Sequence, residues 1–231
     1  MNPRGFDSFL FHVWLGLQDS NLRMTGPKPV ALPLGEGPIS LYLSTAPAPC
    51  RCYTKSMTQY IWHNEAIPSD LRINQVHAVL VTDDGRILLR IKNNSYRLTG
   101  GHPEPEDQNA DATIHREALE EADVEVDKID YIGYQEVFDD DGNHYAQMRV
   151  VARVSKINPA TPDPDRRGRW IYGRALVTPD SAREQLPFGE LNQPLIDNAI
   201  KVAQQNRYFT KPINTAYELI NREDKQSPDA S

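Results

Sequence analysis

The sequence predicts an α/β sandwich with a mixed β-sheet, and three observations carry that prediction. From Ile73 onward, short apolar runs alternate with turn signals, as strands do. The segment Asn109–Ala122 instead places Ala112, Ala118 and Leu119 where one helical face can turn them to a core. A second helical stretch, Pro194–Asn206, closes the region, and strands flanked by two helices bury both faces of a sheet.

In chain order, Val76, Ala78 and Leu80 alternate with His77, Val79 and Val81, and Asp83-Asp84-Gly85 turns the chain into Ile87-Leu88-Leu89. That pattern is a hairpin. Gly100-Gly101 and a loop rich in Pro and Glu follow, then the first helix, with Glu117, Glu120 and Glu121 on the side away from its apolar residues. Strands are expected at Ile129–Phe138 and Tyr145–Val154, joined by the turn Asp139-Asp140-Asp141-Gly142, and at Trp170–Val177. The sandwich itself should run from about residue 70 to 210, inside a domain assigned to 57–221. Residues 222–231 are polar and are expected to fray.

A chain of 231 residues is expected to form one domain with extra length, or two small domains at most. Its 32 Asp and Glu exceed 25 Lys and Arg, giving a net charge of −7 that argues against a long nucleic-acid partner. A small anionic substrate remains compatible if a metal offsets the repulsion. The apolar run Phe9–Leu17 is too short for a bilayer, which needs about 20 residues, so no membrane association is expected. Cys50 and Cys52 sit too close together to staple a domain or to supply a zinc site, and a reducing cytoplasm is the expected setting. Six prolines fall between Pro27 and Pro49 and block regular structure there. The run from Asp19 to Gly35 resembles a peptide obtained when a tRNA-gene region is read as an open frame. Translation is therefore expected to start at Met57, with 1–56 a misassigned or disordered extension.

The chemistry concentrates between Gly101 and Val124. Glu117, Glu120 and Glu121 stand at i, i+3 and i+4, on about one face of a helix. Like charges so placed destabilise an isolated helix by a few tenths of a kcal/mol per pair. A divalent cation would reverse that sign, and magnesium favours carboxylate oxygens together with substrate phosphates. Arg116, four residues before Glu120, can fix a carboxylate's orientation.

The pattern Gly101-His-Pro-Glu104-Pro-Glu106-Asp107, eight residues, then Arg116-Glu117-Ala118-Leu119-Glu120-Glu121-Ala122-Asp123-Val124 resembles the Nudix box of the Nudix hydrolases. The box reads Gly-x5-Glu-x7-Arg-Glu-U-x-Glu-Glu-x-Gly-U, with U apolar. Here Asp107 replaces the Glu, one extra residue precedes Arg116, Glu106 replaces a usual Gly, Thr99 precedes Gly100 where Pro is common, and Asp123 replaces the final Gly. Asp tolerates the left-handed conformation better than most residues, and Asp107 or Asn109 can cap the helix. The resemblance implies a Nudix-type α/β/α sandwich and a Mg²⁺-dependent pyrophosphohydrolase, with Mn²⁺ as an alternative ion. It also implies that Glu117, Glu120, Glu121 and the Gly101 carbonyl bind the metal, while Arg116 orients Glu117. The catalytic set is then Glu117, Arg116 and Glu120, with Glu117 the first candidate for the base.

The substrate implied is a nucleoside diphosphate linked to X: a nucleoside triphosphate, an oxidised one, or a nucleotide sugar such as ADP-ribose. The rival reading is a catalytically weak Nudix-fold module that binds a nucleotide or a protein, and assembly as a homodimer is allowed. An isomerase of prenyl diphosphates lacks the Cys and Glu arrangement it would need. Glu136 is a candidate further ligand or base, with a structural role as its alternative. Trp170 and Tyr172 should point the same way along a strand, to stack on a base or to pack in the core. Arg166, Arg167 and Arg169 offer themselves to a terminal phosphate or to solvent. His77, His102, His115 and His144 show no metal-ligand spacing.

Overall fold

The computed structural model describes residues 58–164 and 170–225. The extension 1–56 with Cys50 and Cys52, the arginines 166, 167 and 169, and residues 226–231 lie outside the described residues. The strands are β1 (Gln59–His63), β2 (Ile73–Val81), β3 (Ile87–Lys92), β4 (Ser95–Arg97), β5 (Thr99–Gly101), β6 (Val124–Phe138), β7 (His144–Ile157), β8 (Trp170–Ile171), β9 (Gly173–Val177), β10 (Glu218–Asn221) and β11 (Asp224–Lys225). The helices are α1 (Ala110–Ala122), α2 (Pro179–Gln185) and α3 (Asn192–Gln205). No helix among the described residues is long and apolar enough to cross a membrane.

Alternation along β2 explains why the sheet is covered twice. Val76, Ala78 and Leu80 enter a core with Ile114, Ala118 and Ala122 of α1. Val79 and Val81 enter the opposite core with Ala182 of α2 and Leu195, Ile196, Ala199 and Ala203 of α3. Fully burying such a side chain is worth about 1.5–3 kcal/mol, so each face selects its own register. The path through the sheet is β1-β6-β7-β2-β3-β9-β10, with β4 on β3 and β5 on β2. The β2–β7 pair is parallel and its neighbours antiparallel, which makes the sheet mixed as expected. The hairpin forms with Leu80 opposite Leu88 and Val81 opposite Ile87, and Gly85 supplies the positive φ of its turn.

Several elements differ from the expectation. β1 and β10 extend the sheet beyond residues 70–210, and Asp224–Lys225 of the expected tail pairs with β8. The Trp170–Val177 segment breaks at Tyr172 into two strands belonging to different sheets. The short helix α2 carries its signal in Thr178-Pro179, an N-cap whose hydroxyl accepts from Ser181 N–H followed by proline in the first turn.

On α1 the phase of the helix also departs from the reading. Thr113, Ile114, Ala118 and Ala122 form the buried stripe, Glu117 is 7% exposed at its edge, and Leu119 is 48% exposed. A step of about 100° per residue carries Leu119 past the core line that Ala118 occupies. Asn109 caps the first turn, accepting from Ala112 N–H at 2.9 Å, as its sequence position suggests.

Candidate active site

Helix α1 ends on Asp123 in the left-handed conformation, φ 49° and ψ 46°, where the box has Gly. Its carboxylate Oδ1 accepts from Thr161 N–H at 3.1 Å and from the Thr161 hydroxyl, contacts that a glycine would lack. The buried Arg174 donates from Nη1 to the carbonyls of Ala122 (2.8 Å) and Asn158 (3.0 Å), and from Nε to Asn221 Oδ1. Orphan carbonyls at the helix end are thereby satisfied.

At the other end, β5 brings the Gly pair against β2, with His77 opposite Gly100 and Val76 opposite Gly101. A Cβ on Gly100 would stand 2.2 Å from the Val76 carbonyl oxygen, and Gly100 also has a φ of +144°. A Cβ on Gly101 would stand 2.2 Å from Glu117 Oε1, so glycine lets that carboxylate lie directly on the backbone.

Arg116 is the hub of the site. Its Nη1 donates to Glu117 Oε1 at 3.0 Å and Glu120 Oε2 at 3.1 Å, and its Nη2 donates to Asp107 Oδ2 and to the His102 carbonyl. Glu104 stands 3.5 Å from the same guanidinium. The extra residue in the loop therefore does not detach Asp107. Its hydrogen bond from Arg116, helped by the Glu104 N–H against the effect of burial, holds the Asp107 carboxyl at about 2. Hydrogen bonding to Asp107 and the charge of Glu117 raise the pKa of Arg116 further still.

Glu121 leaves this group. Arg90 Nη1 donates to it at 2.5 Å and Gly100 N–H at 3.2 Å. Burial, joined by the negative charges of Glu117 and Asp163, pushes its carboxyl up to about 7 against the lowering by Arg90 and Gly100. Asp163, which the sequence reading passed over, is 3% exposed and accepts from the Tyr172 hydroxyl at 2.7 Å. It comes from a loop far downstream of α1, and no local spacing marks it.

The donors suit a hard divalent cation. Glu104, Asp107, Glu117 and Glu120 surround a single guanidinium, so negative charge is in excess, and every candidate ligand is an oxygen. Among the described residues no three of the acids converge in ligand geometry; Glu117, Glu120 and Glu121 each meet a guanidinium instead.

The other candidates disperse. Glu136, on β6, lies between His63 and His144, at 2.8 and 2.7 Å, and those two histidines are its partners. The rings of Trp170 and Tyr172 lie 6.5 Å apart at 44°, on the same side as expected. Tyr172 is buried, with Arg90 4.7 Å and Lys92 5.5 Å from its ring centroid. Those cations cover its face, so packing rather than base stacking is its role. Lys225 lies 5.2 Å from the Trp170 ring.

With this geometry in place, the family model of the NUDIX domain matches residues 71–197. No curated protein matches the chain significantly. Among solved structures, the chain is similar to the Bacillus subtilis pyrophosphohydrolase BsRppH, at 19% identity over 44% of this chain and 63% of that one, with a TM-score of 0.40. It is also similar to a NUDIX hydrolase from Nitrosomonas europaea, at 23% identity over 60% and 93% of the two chains, TM-score 0.41. A nudix hydrolase family member from Chromobacterium violaceum gives 19% identity over 60% and 82%, TM-score 0.37.

Proposed function

The chain belongs to the Nudix hydrolase family, and from that premise we propose that it hydrolyses the diphosphate linkage of a nucleoside diphosphate joined to a further group X, with Mg²⁺ or Mn²⁺. The observation that supports this reading is the Arg116 hub, which gathers Asp107, Glu117 and Glu120 while Glu117 lies against Gly101. Glu117, Glu120 and Glu121, with the Gly101 carbonyl, would hold the ion, whose chemistry is to polarise phosphoryl oxygens and offset developing charge. Arg116 sets the orientation of Glu117, and the buried Glu117 carboxylate takes the proton of the attacking water. The water oxygen bonds to phosphorus, the P–O bond of the leaving phosphate breaks, and NMP and phosphorylated X result.

Turnover of nucleoside triphosphates, dinucleoside polyphosphates and nucleotide sugars, with and without Mg²⁺, tests the proposal. Glu120→Gln should lose two or more orders of magnitude in rate while the far-UV spectrum and melting temperature are retained. Equal rates in the two proteins would refute the site. A second reading, a nucleotide-binding module of weak activity, draws support from the tie between Glu121 and Arg90. Tight nucleotide binding without metal-dependent turnover would establish it.

A further inference from the structure

A second basic group is buried in the sheet beside the Gly pair. Arg149, on β7, is 2% exposed. Its Nη2 donates to Gln147 Oε1 at 2.6 Å and to Gln135 Oε1. Among the described residues its Nε and Nη1 have no acceptor and no carboxylate pairs with it. Burial pushes its pKa down to about 9, still charged at neutral pH.

The surroundings share the deficit. Among the described residues, Gln135, 1% exposed on β6, has an unmatched Nε2, and His77, opposite Arg149 in the parallel ladder, has an unmatched Nδ1. Burial, then the charges of Arg149, Arg90 and His102, push the His77 pKa well below its usual value, so the ring is neutral. Alternation puts residues 75 and 77 of β2 on the face shared by 147 and 149 of β7. The polar groups there form a track inward from the Gly pair. Exposed His102 meets Gln75, Gln75 accepts from Gln147 at 2.8 Å, and Gln147 accepts from Arg149.

An isolated charge in an interior is costly, and each unmatched buried donor adds to that cost. Two glutamine carbonyls offset little of that. An oxyanion would supply both the missing charge and the missing acceptors, and a guanidinium fork matches its geometry. We propose that Arg149, Gln135 and His77 form a binding site for an oxyanion, a phosphate or carboxylate group. The site adjoins the one proposed for hydrolysis, since the His102 carbonyl accepts from Arg116 and His77 faces Gly100, but its test reads binding alone and needs no turnover.

Thermal unfolding of the full chain, without divalent metal and at constant ionic strength, decides the matter with inorganic phosphate and acetate as probes against chloride. Phosphate or acetate should raise the melting temperature of the wild type saturably, and the more effective of the two tells which oxyanion the site takes. Arg149→Met should melt at or above the wild type in chloride, because it removes an uncompensated charge, and should lose the response to the anion. Arg149→Lys should keep the response with at least a tenfold weaker apparent affinity, having lost the fork. Failure of Arg149→Met to fold would make the residue structural and overturn the site. So would a wild type that responds to neither anion, or an Arg149→Met protein that responds as the wild type does.

Discussion

Two guanidinium groups, Arg149 and Arg174, are equally buried at 2% exposure and stand in opposite chemical situations. Arg174 lies under the C-terminus of α1, where carbonyls of Ala122 and Asn158, the amide of Asn221 and a carboxylate oxygen of Asp123 4.0 Å away surround it. Arg149 meets two amides on one nitrogen only. The first is a fastener made by the fold for itself. The second is a charge that the fold carries without using. Burial alone therefore does not distinguish structural from binding arginines; the count of matched donors does.

The comparison breaks most directly on paired substitutions followed by urea unfolding. Arg174→Met should cost about 3–5 kcal/mol, because it strands the carbonyls of Ala122 and Asn158 and removes the positive charge beside Asp123. Arg149→Met should cost nothing measurable in the absence of an oxyanion. Similar losses at both positions would erase the distinction.

A third case, Arg86, sharpens it, since this guanidinium is matched by the carboxylates of Asp84 and Glu218, each at 2.8 Å. Burial raises the Asp84 carboxyl, but hydrogen bonds from Thr82, Arg86 and Asn214 outweigh it and hold the group at about 2. A depressed carboxyl contributes stability that is complete above the unfolded pKa near 4 and disappears as pH falls toward 2. The contribution is about 2 kcal/mol. Acid titration of wild type and Asp84→Asn, monitored by unfolding free energy, should show the two curves converging over that window.

The smallest effect belongs to the cap itself. Asp123→Ala places a Cβ-bearing residue without side-chain acceptors in the left-handed region and should cost about 1–2 kcal/mol. Asp123→Gly should recover the backbone part but not the bonds from Thr161. Melting temperatures of the two variants check the order, and an Asp123→Gly protein more stable than the wild type would show that those bonds contribute nothing.

Much of the proposed site was legible because it is local. Arg116, Glu117, Glu120 and Glu121 fall within six consecutive residues, where helical period alone places them near one another. The cap at Asn109, the left-handed Asp123 and the hairpin turn at Gly85 are equally short-range. Legibility fails where partners come from distant strands. Asp163 reaches the acids by a loop fixed through Tyr172, and Glu121 is drawn off by Arg90 of β3. The outward turn of Leu119 has the same origin, since the core line on α1 is set by Val76, Leu80 and Leu88 of the sheet beneath.

By itself the sequence determined the family, the alternation of strands and helices, and the acidic segment that faces Gly101. These depend on residue spacing and turn chemistry within a dozen positions. Only the tertiary structure decided which arginines are matched, because a hydrogen bond between β6 and β7, or between β9 and the end of α1, exists only once the strands are paired. The physical reason is the low dielectric of the interior, where one absent acceptor changes the meaning of a charge and sequence distance says nothing about whether that acceptor is present.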